Sequence, residues 1–165
     1  MSLITLSSLE RITAPKLAEL LLAADTANTA EGGSIAVVDV RDDDHIGGHI
    51  RSSLHFPSQS LDAMMPTLMR KLADKETVIF HCALSQQRGP GAALQYLREK
   101  EATGGNGGNG GSGGEKATET GAKTGGKKAQ RVYVLDRGFV GWQESYGLDR
   151  RLTEAYRKEL WEDGY

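Results

Sequence analysis

A single cysteine, Cys82, and an arginine, Arg88, bracket the loop Cys82-Ala83-Leu84-Ser85-Gln86-Gln87-Arg88. With one Cys in 165 residues the chain can form neither an internal disulfide nor a thiolate-rich structural zinc site, so Cys82 must be explained alone. A lone Cys is ordinarily a small buried apolar residue. Its neighbours here argue for chemistry instead. Thr77-Val78-Ile79-Phe80 reads as a strand running into His81-Cys82, and Arg88 opens a helix to Lys100 with Ala92, Ala93, Tyr96 and Leu97 on one face. At the carboxyl edge of a parallel sheet, such a strand-to-helix turn aims successive N–H groups and the positive helix end at one spot, an anion site. The same field favours the thiolate, which is the nucleophile. Arg88, planar and permanently charged, can hold two oxygens of a tetrahedral oxyanion while sulfur approaches its central atom. Cys82 and Arg88 are therefore the expected catalytic pair, with Ala83, Leu84, Ser85, Gln86, Gln87 and Arg88 lining the oxyanion seat. Gly89 allows close backbone approach, and Pro90 has no N–H to leave unpaired in the first helical turn.

Around this loop the sequence predicts α/β architecture with a parallel sheet. Ile35-Ala36-Val37-Val38-Asp39-Val40 and Arg131-Val132-Tyr133-Val134-Leu135 share the β-branched character of the strand before Cys82, as strands covered on both faces do. Thr13 followed by Ala14-Pro15 reads as a helix cap with Pro in the first turn, and Leu17, Leu20 and Leu21 form the stripe that packs on the sheet. Ser60 to Ala73 is helical in pattern through Leu61, Met64, Met65, Leu68 and Leu72, with Pro66 expected to break it in two. A last helix is expected over Leu152 to Trp161. Residues 101–130 hold 11 of the 21 glycines and only alanines as apolar side chains, so they read as a disordered Gly-rich insertion within one domain spanning 1–165. Loop closure grows only logarithmically with length, so both flanks can belong to one fold.

Composition narrows the partners. A net charge of -2 gives no broad basic surface for nucleic acid or anionic lipid. No apolar run approaches the roughly 18 residues of a membrane span, and Met1 to Lys16 lacks the pattern of a signal peptide. The expectation is an intracellular protein of cytoplasm or nucleus, without nucleic-acid or membrane partners.

Three motifs together resemble the rhodanese superfamily. Asp39-Val40-Arg41 with Gly47-Gly48-His49-Ile50-Arg51-Ser52-Ser53 is similar to its first signature, the Cys82–Arg88 loop to its second, and Leu135-Asp136-Arg137-Gly138-Phe139-Val140-Gly141-Trp142 to its last. Sulfurtransferases of the superfamily usually have a shorter loop. The seven-residue loop resembles the version found in small phosphatases of the cdc-twenty-five type and in eukaryotic arsenate reductases. Neutral Ala83 and Gln87 set it apart from the mitotic regulators, which typically carry acidic residues there.

The resemblance implies a rhodanese-like central parallel sheet with helices on both faces, and a tyrosine or dual-specificity phosphatase working through a phospho-cysteine. The substrate would be a phosphorylated protein or a small oxyanion. Arsenate reduction is the alternative, with glutathione or glutaredoxin as reductant because no second Cys resolves the adduct; otherwise no cofactor and no metal are expected. A non-catalytic rhodanese module that binds a partner is the reading from another class. Ser85 either donates to the leaving thiolate or only shapes the loop. His81 either tunes the thiolate or is a buried, satisfied imidazole. Asp39 and Arg41 are expected to brace strand and loop by ion pairing, Phe139 and Trp142 to anchor the core. Asp42, Asp43 and Asp44 read as a solvated charged turn, with no general acid assignable. An exposed thiolate at Cys82 would be open to peroxide.

Overall fold

Side chains alternate across each central strand, and that alternation sorts the core into two layers. A computed structural model describes residues 5–27, 35–107 and 130–162. Five strands form one parallel sheet: β1 (Glu10–Ile12), β2 (Ile35–Asp39), β4 (Leu54–His55), β5 (Thr77–His81) and β6 (Arg131–Leu135), in the order β1-β6-β5-β2-β4. A separate antiparallel pair joins β3 (His49–Ile50) to β7 (Thr153–Glu154). On one face Ala36, Val38, Val78, Phe80 and Val134 meet two helices, α2 (Leu61–Leu72) and α3 (Arg88–Gly107), through Leu61, Met65, Leu68, Leu72, Ala92, Ala93 and Tyr96. On the other face Val37, Ile79 and Leu135 meet α1 (Ala14–Ala27) and α4 (Gly138–Tyr146) through Leu17, Ala18, Phe139 and Trp142. The predicted α/β fold, with helices on both faces of a parallel sheet, is the observed one. A short α5 (Lys158–Glu162) closes the described chain.

Local chemistry explains the helix starts. Thr13 Oγ1 accepts from the Lys16 amide at 3.3 Å, the cap expected before α1. Phe139 and Trp142 are fully buried anchors, and Trp142 Nε1 donates to Thr153 Oγ1 at 2.9 Å, tying α4 to β7.

Three expectations are corrected. Pro66 does not divide its helix: α2 is continuous, because buried Leu61, Met65, Leu68 and Leu72 hold both halves on one apolar face. Packing outweighs the one backbone hydrogen bond that Pro removes. Leu152 to Trp161 is not one helix, since Thr153 and Glu154 pair with Ile50 and His49 as a strand and only the segment from Lys158 is helical. Finally, α3 continues to Gly107, so the first residues of the Gly-rich insertion are helical, while 108–129 lie outside the described residues. At the far end of that segment Gln130 is anchored. Its Nε2 donates to the Leu72 and Lys75 carbonyls, both at 2.8 Å, and its Oε1 accepts from the Tyr96 hydroxyl at 2.6 Å.

Candidate active site

The last residue of β5 is His81, and Cys82 begins the turn that leads into α3 at Arg88. Two amides converge on the sulfur: those of Ser85 and Gly89 both donate to Cys82 Sγ at 3.2 Å. The first is aimed by an unusual backbone, since Ser85 has φ +57°, a left-handed conformation that costs a non-glycine residue about 1 kcal/mol or more. The second comes from the first turn of α3, so the positive helix end faces sulfur. Gly89 lies so close beneath the strand that an added Cβ would sit 3.2 Å from His81 Cα and 3.3 Å from the Cys82 nitrogen. The close approach expected there is present.

The sulfur is not exposed, which corrects the sequence reading: Cys82 is 3% exposed because the loop closes around it. It does, however, face donors and not only hydrocarbon. Leu84, Gln86 and Gln87 are exposed above it, and Leu84 is 49% exposed, an apolar side chain on the rim. Ala83 is buried and acts through its backbone: the Phe139 and Val140 amides donate to the Cys82 and Ala83 carbonyls at 3.0 and 2.9 Å. The third sequence motif therefore clamps the loop from behind. Gly138, at φ +56°, is required there, since a Cβ would lie 2.4 Å from the Ala83 oxygen and 2.5 Å from that of Cys82.

Arg88 is brought to the site, but the side chains that meet it were unforeseen. Its Nη1 and Nη2 grip Asp44 at 2.8 and 2.6 Å, and Nη1 also donates to Asp42 Oδ2 at 3.3 Å. Two of the three aspartates read as a solvated turn are thus structural partners of the loop arginine. Folding carries the chain after β2 to the same sheet edge as the turn after β5, a juxtaposition no local pattern records. Hydrogen bonding to Arg88 holds Asp44 far below the usual carboxylate range. In return Asp44 foremost, then Asp42 and the Cys82 sulfur, raise Arg88 above its ordinary value. Asp42 is itself held by the Ser58 hydroxyl at 2.5 Å and the Gln59 amide at 2.9 Å.

Behind the loop, Asp39 and Arg41 form the brace expected of them. Both are fully buried, with Arg41 Nη2 2.7 Å from Asp39 Oδ2 and Nε 3.0 Å from Oδ1. Arg41 also donates to the Gly48 carbonyl at 2.8 Å and lies 4.4 Å from the Phe139 ring centroid. Burial alone would raise Asp39, but His81 and the Arg41 hydrogen bonds bring it down to about 2. His81 is also fully buried. Its Nδ1 donates to the Cys82 carbonyl at 3.1 Å, while Nε2 has no hydrogen-bond partner and lies 3.8 Å from Asp39 Oδ2. The imidazole is thus only half satisfied, and desolvation lowers its pKa. It steers the Cys82 carbonyl rather than the sulfur. Ser85 Oγ is buried with no partner, so its amide alone touches Sγ.

Two further groups escaped sequence reasoning. Arg11 on β1 donates from Nη2 to the Ser85 carbonyl at 3.2 Å, and nothing in a three-residue strand marks it. His45 stacks on His55 with centroids 3.7 Å apart and on His49 at 5.7 Å, beside Asp39. Desolvation lowers His45 to about 4. Among the described residues no group of His, Cys, Asp and Glu is arranged to hold a metal ion, and no helix is long and apolar enough to cross a membrane.

A two-faced parallel sheet that presents a cysteine loop at its carboxyl edge, clamped by a glycine-led helix, defines a class that the comparisons identify. Residues 22–145 match the model of the Rhodanese-like domain, and the chain belongs to that family. It is 37% identical over 113 residues to "Dual specificity phosphatase Cdc25" of Arabidopsis thaliana, covering 68% of this chain and 64% of that one. It is 37% identical over 122 residues to "Arsenate reductase 2.1" of Oryza sativa, covering 73% of this chain and 64% of the relative. The match thus spans less than two thirds of either relative's own length. "CDC25-like phosphatase YCH1" of Saccharomyces cerevisiae is 35% identical, with 76% of each chain covered. Among solved structures, Ygr203w, described as a yeast protein tyrosine phosphatase of the rhodanese family, superposes with TM-score 0.69 at 30% identity, covering 96% of this chain and 99% of that one. The As-Sb reductase from Leishmania major gives 0.61 at 26% identity, covering 87% and 82%.

Proposed function

We propose that this protein is a cysteine-dependent phosphatase that hydrolyses phosphate monoesters through a phospho-cysteine. The observation that carries the reading is the convergence of the Ser85 and Gly89 amides on one sulfur at the mouth of a helix. Two N–H donors stabilise sulfur as an anion and keep it a nucleophile. The amides of Leu84, Gln86 and Gln87 donate to nothing among the described residues, which leaves them for the oxygens of a bound phosphate. Cys82 Sγ attacks phosphorus, a P–S bond forms, and the ester P–O bond breaks, the leaving oxygen taking its electron pair and a solvent proton. Water then attacks phosphorus and releases phosphate with the Cys82 thiolate as leaving group. The Ser85 amide, already on sulfur at 3.2 Å, favours that departure by stabilising the returning thiolate, while the buried Ser85 hydroxyl makes no hydrogen bond to it. Phosphatases of the cdc-twenty-five kind at 35–37% identity support the reading.

Arsenate reduction is the second reading, favoured by the rice relatives. Arsenate would meet the same thiolate, and glutathione or glutaredoxin would supply the reducing electrons. Hydrolysis of para-nitrophenyl phosphate, glutathione- and glutaredoxin-dependent arsenate reduction and thiosulfate sulfur transfer, each assayed beside Cys82→Ser, decide between them. The expected result is ester hydrolysis that falls at least about 10³-fold in Cys82→Ser. Hydrolysis that survives the substitution removes Cys82 as nucleophile, and inactivity in every assay leaves a binding module.

A further inference from the structure

The two arginines at this sheet edge use their donors differently. A guanidinium carries five N–H groups, one on Nε and two on each Nη. Arg41 turns its Nε/Nη2 edge inward: Nε and Nη2 grip Asp39 side-on, Nη2 also reaches the Gly48 carbonyl at 2.8 Å, and Nη1 reaches that of Ile46 at 3.4 Å. Arg88 is held from the other end. One hydrogen of Nη1 and one of Nη2 go to Asp44, and the second on Nη1 goes to Asp42. Its Nε–H and remaining Nη2–H, which point the same way along one edge, have no acceptor among the described residues, and the side chain is 33% exposed. Such an edge is a two-donor fork spaced for two oxygens of one anion.

The acidic grip is itself fixed. Asp44 Oδ1 accepts from the Asp42 amide at 2.9 Å, and Asp42 is tied to Ser58 and Gln59. We propose that Asp44 is the positioning residue of the oxyanion seat: it clasps Arg88 by the Nη1/Nη2 end so that the Nε/Nη2 edge is presented to the ligand. This rests on the Cys82–Arg88 oxyanion reading and deepens it. Asp44 does not touch the reacting atoms and acts through Arg88. A carboxylate at this place has two opposed consequences, since it can orient the arginine or compete with the ligand for it. The end-on geometry decides for orientation, because the edge an oxyanion needs is the one Asp44 leaves alone.

The test combines binding and turnover. Inorganic phosphate is titrated by calorimetry into Cys82→Ser protein carrying Asp44→Ala, Asp44→Asn or Asp44→Glu, with exposed Asp43→Asn as control. Hydrolysis of para-nitrophenyl phosphate is measured for the same substitutions with Cys82 intact. The expected result is phosphate affinity and kcat/KM both lower by on the order of 10-fold in Asp44→Ala and Asp44→Asn, part of the loss recovered in Asp44→Glu, and no change in Asp43→Asn. In an Arg88→Ala background the further change Asp44→Ala should add nothing, whereas a merely structural residue would add its loss in either background. Affinity equal to or tighter than that of the parent in Asp44→Ala, or losses that add to Arg88→Ala, overturns the proposal while the phosphatase reading stands. A parent protein that neither binds phosphate nor hydrolyses the ester overturns both.

Discussion

Arg11 holds the outer side of the Cys82–Arg88 loop by donating to the Ser85 carbonyl at 3.2 Å. Because the peptide is planar and trans, fixing that carbonyl also fixes the direction of the Gln86 N–H on the other side of the same bond. Arg11 thus braces one of the amides that the proposed phosphatase reading assigns to phosphate, and its 3.6 Å pairing with Asp136, both half exposed, is worth little by comparison. Arg11→Ala should lower kcat/KM for an aryl phosphate by roughly 5- to 10-fold, about the worth of one hydrogen bond, with Arg11→Lys retaining more of it. Unchanged steady-state kinetics in Arg11→Ala would show that the loop holds its shape without this contact. Cys82 and Arg88 were legible as the two ends of one strand-to-helix turn because their types and spacing mark it. Arg11, Asp42 and Asp44 were not, because each meets the loop from a distant part of the chain.

Elements supply the rigidity that single residues cannot. The start of α4 is pressed against the loop so closely that Gly138 admits no side chain, its would-be Cβ neighbours being backbone oxygens that cannot swing aside. Gly138→Ala should therefore shift the loop. Turnover should fall by at least about 10-fold, as expected when catalytic groups move by a fraction of an ångström, and the urea midpoint should drop with it. Loss of stability with turnover intact would mean that α4 carries the strain and the loop does not. In α2, Pro66 denies the Asp62 carbonyl its helical donor. Pro66→Ala should restore it at this exposed position and stabilise the protein by about 1–3 kcal/mol. A urea midpoint equal to or below the parent's would show that the helix relies on Pro66 to fix its first turns.

For the molecule as a whole, acid is the condition that tests the buried polar network. His45, at about 4, and His81, lowered by burial, bind fewer protons folded than unfolded. Their contribution is complete above the unfolded value near 6.5 and is lost as pH falls towards the folded one. Asp39, lowered to about 2, adds stability that is present above the usual carboxylate range and lost as pH falls from about 4 to about 2. Unfolding free energy should accordingly fall in two stages on acidification. His45→Gln should flatten the stage between about pH 6.5 and about pH 4 without moving the lower one. Equal slopes in parent and variant through that window would remove His45 from the account. Gln130 is the other whole-molecule device, joining the chain after the Gly-rich segment to the end of α2 and to α3. Gln130→Ala leaves two carbonyls and the Tyr96 hydroxyl short of partners and should cost about 1–3 kcal/mol in urea unfolding.

The sequence by itself determined the place of the Cys82–Arg88 loop, its strand and helix, the sheet's two-faced core and the Asp39–Arg41 brace, because each is written in local periodicity or in a short run of residue types. Tertiary structure decided the rest. Strands of two or three residues, such as β3, β4 and β7, are too short to show a period and exist only through their neighbours. The order of strands set which turns share an edge, and that adjacency alone put Asp44 on Arg88 and Arg11 on Ser85. Contacts between residues dozens of positions apart leave no mark on either local sequence, since the free energy that forms them arises only when the sheet brings both ends together.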